Sequence, residues 1–132
     1  MRKKPCLQSF DVHKMAAACR AEAEKNNWSV TIAIVDDAGV LLYLDRMDGA
    51  IATTSEVATL KAKTSAITRR PSKFWEDRVK DRPAFMNFPG ILQIQGGLPI
   101  MYEGECVGAI GVSGVQSHED EQIAKAGIAT LS

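Results

Sequence analysis

The chain has two histidines, His13 and His118, and their neighbours decide what either could do. A neutral imidazole is a common metal ligand, haem iron included. Helical spacing puts His13 one residue past Val12 and three before Ala16, at the edge of an apolar stripe, where it faces either a groove or water. His118 precedes Glu119 and Asp120. A carboxylate beside it would fix its tautomer and raise its pKa, as in a proton carrier; the plainer alternative is a solvated helix start. No HExxH spacing and no second metal-ligand histidine accompanies either residue, which argues against a zinc hydrolase. Further along, Phe74, Trp75, Phe85, Met86 and Phe88 lie in an irregular, proline-broken stretch. They either seal the core or line a pocket for a flat ligand. Residues 69–82 hold six basic side chains against three acidic ones, which reads as a solvated face or the rim of such a pocket.

Other chemistry is excluded by spacing and count. Gly96, Gly97, Gly108, Gly111 and Gly114 lie within and beside strand-like runs, whereas a dinucleotide fingerprint must follow a strand and open a helix. Around Ser113 the glycines lack the spacing of a nucleophile elbow. Cys6, Cys19 and Cys106 are odd in number and contain no CxxC pair, against a complete disulfide framework or a cysteine-built metal site. Sixteen basic and sixteen acidic residues cancel, so no global field gathers nucleic acid or anionic lipid. The basic start, Met1 to Pro5, leads into no apolar core, and the uncharged residues 83–102 are broken by prolines and glycines. The expectation is a cytoplasmic protein with no membrane or nucleic-acid partner.

The elements that must position these residues fit one domain over residues 1–132, large enough to bury roughly two-thirds of the surface of the unfolded chain. Ser9 can cap a first helix running to about Asn26, with Val12, Met15, Ala16, Cys19 and Ala23 on one side. Residues 30–36 and 40–46 read as a hairpin turning through Asp37-Ala38-Gly39. Small residues dominate a second helix, 52–68, so it can sit close to a sheet. Pro71 stops it, and residues 72–80 make a short third helix. Three further strands are expected at 91–95, 98–102 and 106–113, the last two joined by Glu103-Gly104 as a tight turn and forming the centre of the sheet. A last helix starts at Ser117 with Asp120 in a capping-box position. The prediction is an α+β fold whose five-stranded, largely antiparallel sheet is flanked by helices.

The order and spacing of residues 35–39, 46–50, 61–64, 70–72 and 96–116 resemble the GlcG/HbpS family of haem-binding-type domains, and also the C-terminal domain of PduO-type corrinoid adenosyltransferases. The resemblance spans residues 30–131 and implies a profilin-like α/β/α sandwich that forms homo-oligomers, a dimer or a multiple of one. It draws together Asp36, Arg46, Asp48 and Lys61. Arg46 and Lys61 could clamp a carboxylate or haem propionate; alternatively Asp48, Arg46 and Lys61 form a buried ion pair that pins a loop. For function it implies a small-ligand domain, with haem or a related tetrapyrrole held against Phe85 and Phe88 and His13 reaching the iron. The other readings are a small catabolic enzyme acting on an organic acid through Asp36, Arg46, Asp48, Lys61 and His118, and a non-catalytic assembly module.

Overall fold

Helix α1 (Ser9–Lys25) forms where Val12, Met15, Ala16, Cys19 and Ala23 recur about a turn apart, and all five are buried. Its N-cap is Gln8 rather than Ser9: the Asp11 carboxylate three residues on accepts the Gln8 N–H at 2.9 Å. The computed structural model describes residues 1–131. In it, strands β1 (Thr31–Asp36), β2 (Leu41–Arg46), β3 (Gly97–Tyr102) and β4 (Glu105–Ser113) make one sheet in the order β2-β1-β4-β3, with every pair antiparallel. Residues Glu103 and Gly104 both take positive φ, 50° and 78°, which is the geometry that joins β3 to β4 in a two-residue turn.

The period-two alternation of the strands sorts the core into two layers. Ile32 and Ile34 of β1, with Ile110 and Val112 of β4, face α1 and helix α4 (Ser117–Ile128). Ala33, Val35 and Ala109 face the other way, onto Ala58, Ala62 and Ala66 of helix α2 (Thr53–Thr68). Alanines four apart give α2 a flat side, and glycine lets it settle: a Cβ on Gly111 would lie 2.1 Å from the Ala58 carbonyl oxygen, and one on Gly97 2.3 Å from that of Lys61. Helix α3 (Ser72–Asp81) and the 3₁₀ turn after it (Pro83–Asn87) lie in the α2 layer, where the Gly97 N–H donates to Ser72 Oγ at 2.8 Å. The result is a three-layer α/β/α sandwich.

The sheet has four strands, not five. Residues 91–95 lie against helices, and their polar groups are satisfied there: Leu92 N–H donates to Thr64 Oγ1 (2.8 Å), Gln95 N–H to Glu76 Oε1 (3.1 Å) and the Gln93 amide to the Phe85 carbonyl (2.7 Å). Backbone donors committed to helix side chains have no ladder to join. In consequence β4 alone of the second hairpin is central and β3 is an edge, where Pro99 leaves no interior ladder bond unmade. Helix α4 is capped by Gln116 with Glu119, which frees Asp120 from the role the sequence suggested for it. None of the helices described is long and apolar enough to cross a membrane.

Candidate functional site

Lys61 sits mid-way along α2 with 2% of its surface exposed. Its ammonium lies 3.0 Å from Asp120 Oδ2 and donates to the Val112 carbonyl at 3.0 Å. The second Asp120 oxygen accepts the Val115 N–H at 3.1 Å. Burial pushes the Asp120 carboxyl above its ordinary range, and the Lys61 charge and hydrogen bond oppose that rise. A buried ion pair thus ties α2 to α4 at the end of β4. The lysine's partner is Asp120, not Asp48 or Arg46, so the ion pair expected among Asp48, Arg46 and Lys61 does not form.

The other members of that constellation have separate local duties. Arg46 is exposed; its Nε donates to the Ala50 carbonyl at 3.0 Å and closes the loop that leads to α2. Asp48 is exposed in the same loop. The carboxylate of Asp36 accepts the Ala38 and Val40 N–H groups, each at 2.9 Å, and shapes the β1–β2 turn. His118 is exposed in the first turn of α4. These residues do not converge. Burial pushes the Cys19 thiol up to about 12, so it is an inert core side chain. No group of three or more His, Cys, Asp or Glu among the described residues could hold a metal ion.

His13 has a more defined setting. It is exposed on α1 and meets the Tyr43 ring of β2 edge-on, with centroids 5.7 Å apart. Its Nδ1 lies 2.9 Å from the Ser9 carbonyl oxygen. A carbonyl only accepts, so Nδ1 is the donor; in the neutral ring the lone pair is then on Nε2, the tautomer a metal ligand needs. The ring borders an open groove of about 250 Å³ whose apolar walls are Leu7, Val12 and Leu42.

The aromatic residues gather elsewhere, in the α2 layer. Trp75 is their centre: its ring lies 5.0 Å from Phe74, 5.5 Å from Phe85 and 5.0 Å from Phe88, and its Nε1–H donates to Thr68 Oγ1 at 3.0 Å. Phe74, Trp75 and Phe85 border an open cavity of about 350 Å³. The structure therefore separates what the sequence joined. His13 lies on the α1 face of the sheet, Phe85 and Phe88 lie in the opposite layer, and Lys61 is enclosed between α2 and α4. One feature went unread in the sequence, the pairing of Asp120 with Lys61. Asp120 was hidden because an acid in the first turn of a helix already satisfies the helix dipole. Of the basic run at residues 69–82, read as a solvated face or a pocket rim, Arg70, Arg78 and Arg82 line the aromatic cavity.

Fold and site together define a small α/β/α domain with an all-antiparallel sheet and an unencumbered imidazole on its first helix. The HbpS-like family, described as haem degrading protein HbpS-like, matches residues 7–129, and the chain belongs to it. The chain is 41% identical over 114 residues to protein GlcG of Escherichia coli, covering 86% of this chain and 85% of GlcG. Its fold superposes on a double mutant of HbpS from Streptomyces reticuli with a TM-score of 0.93 at 34% identity, over 100% of this chain and 91% of that one. A PduOC:heme complex superposes with a TM-score of 0.89 at 25% identity, over 97% and 96% of the two chains.

Proposed function

We propose that this protein is a haem- or tetrapyrrole-binding domain, with His13 as the residue that ligates the iron. The observation that carries the reading is the His13 setting: Nδ1 donates to the Ser9 carbonyl at 2.9 Å, which leaves the Nε2 lone pair of the neutral ring to ligate a metal beside an apolar groove. Membership of a family described by haem degradation, and likeness to a heme complex, support it. Bound haem would supply redox or ligand-binding chemistry at its iron. The part played by this chain is to present one imidazole, fix its ring plane through Ser9 and Tyr43, and keep water from one side of the ligand with Leu7, Val12 and Leu42.

A groove of about 250 Å³ is smaller than the 300 to 1,000 Å³, roughly, of sites that enclose a drug-sized ligand. The chain alone would leave a macrocycle half covered. Val40, Leu41, Leu42 and Leu44 are exposed on and beside the edge strand β2, and Leu42 also walls the His13 groove. A second copy seated on β2 would cover these leucines and close the groove, so the protein acts as a homo-oligomer, a dimer or a multiple of one. The enzyme reading has no comparable support, because Asp36, Arg46, Asp48, Lys61 and His118 do not meet. Titration of the protein with haem, followed in the visible spectrum, tests the proposal: a Soret shift that saturates at one equivalent per chain is expected. Broad absorption that never saturates would overturn it.

A further inference from the structure

Helix α3, Arg70 just before it and Arg82 just after it bring Arg70, Phe74, Arg78 and Arg82 to the lining of the aromatic cavity. The guanidinium carbons of Arg70 and Arg78 lie 4.2 and 4.8 Å from the centroid of Phe74, and that of Arg82 lies 5.2 Å from the centroid of Phe85. Stacking of this kind orders a long side chain before any ligand arrives and leaves the N–H edge of each fork free. None of the three makes an ion pair or a side-chain hydrogen bond among the described residues, although Lys73 and Lys80 on the same helix both pair with Asp77. Asp81 is the one acidic residue lining the cavity. Three guanidiniums against one carboxylate leave two positive charges beside a wall of Phe74, Trp75 and Phe85.

We propose that this cavity is a second binding site, separate from the His13 groove, for a small organic dianion: a flat apolar body of one ring bearing carboxylate or phosphate oxygens. Its volume of about 350 Å³ suits a ligand of that size. No His, Cys or Met lines it, so it offers an iron no soft or imidazole ligand. The aromatic wall takes the ring, and the forks of Arg78 and Arg82 take the oxygens as paired, charge-assisted hydrogen bonds. The site stands whether or not haem binds at His13.

The test is calorimetric titration of the whole protein with phthalate and with phenyl phosphate, beside benzoate and inorganic phosphate as controls. One or both dianions should bind saturably, and whichever is tighter identifies the oxyanion. Benzoate, with half the charge, and inorganic phosphate, with no ring, should each bind about tenfold more weakly or less. The double variant Arg78→Gln, Arg82→Gln should lose at least about tenfold in affinity for the dianion and keep its haem titration unchanged; both side chains are exposed, so folding does not depend on them. Arg78→Lys, which keeps the charge and removes the fork, should lose part of the affinity. The proposal is overturned by the absence of saturable binding, by inorganic phosphate binding as tightly as phenyl phosphate, by a double variant that still binds, or by a single-stranded oligonucleotide that binds the same arginines more tightly than either dianion.

Discussion

Replacing Lys61 by Met isolates the buried ion pair between the two helical layers. The substitution keeps an unbranched chain of similar length and leaves Asp120, whose side chain is 1% exposed, without its counter-charge. Breaking one partner of such a pair costs about 3–5 kcal/mol, because the remaining charge is neither solvated nor matched. At about 4 °C of melting temperature per kcal/mol for a chain of this size, Lys61→Met should melt about 12–20 °C below the parent protein at neutral pH. The pH dependence follows from Asp120. Its folded-state pKa lies above the ordinary carboxylate value because of burial, so the folded state holds the proton over a range in which the unfolded chain has lost it. Stability contributed by this group is therefore greatest below the ordinary carboxylate range and falls as pH rises through the folded value. Without Lys61 the charge and the hydrogen bond that oppose the rise are gone, and the fall is steeper. Thermal melts at about pH 5 and pH 7 should show the gap between parent and variant narrowing in acid. Adding Asp120→Asn, which removes the stranded charge and keeps an acceptor for the Val115 N–H, should restore at least half of the loss. A single variant within about 1 kcal/mol of the parent, or a gap that widens in acid, would refute the reasoning.

Gly111→Ala should cost about 3 kcal/mol, since its Cβ would lie 2.1 Å from the Ala58 oxygen and 2.4 Å from the Ala62 nitrogen, both helix backbone. Gly104→Ala, whose Cβ meets nothing within 4 Å and carries only the strain of a φ of 78°, should cost about 1 kcal/mol; equal losses in denaturant melts would contradict the close approach of α2. Leu41→Lys with Leu44→Lys on the exposed edge strand should convert an oligomer into a 14.3 kDa species in light scattering. A parent protein that is already that size would count against assembly through β2.

Much of the architecture is legible because local chemistry and the global fold agree. Glu103-Gly104 can only be a tight turn between two apolar runs, and the α1 stripe and the alanines of α2 announce their buried sides. Residues 91–95 mislead for a physical reason. Their composition suits a strand, yet the groups that capture their N–H donors, Thr64 and Glu76, come from helices far away in the chain. Asp120 misleads in the same way: its place in the sequence fits a local capping pattern, but Glu119 makes the cap and Asp120 the tertiary ion pair, a choice that only packing decides. For His13 the sequence placed the ring at the edge of the stripe, and the structure added the Ser9 contact that fixes its proton. Pairing it with Phe85 and Phe88 failed because the sheet lies between them, and strand order is what α1 and α3 do not reveal one residue at a time.

The central claim is that His13 holds the iron of a bound haem, and one comparison tests it most directly: visible spectra of the parent protein and of His13→Ala, each loaded with one equivalent of ferric haem. Ser9 fixes the ring from the backbone side and His13 is exposed, so the variant should fold and melt as the parent does. The account predicts that the parent shows the Soret and visible bands of an imidazole-ligated haem and that His13→Ala loses them, with imidazole added to solution restoring them. Identical spectra for the two proteins would contradict it.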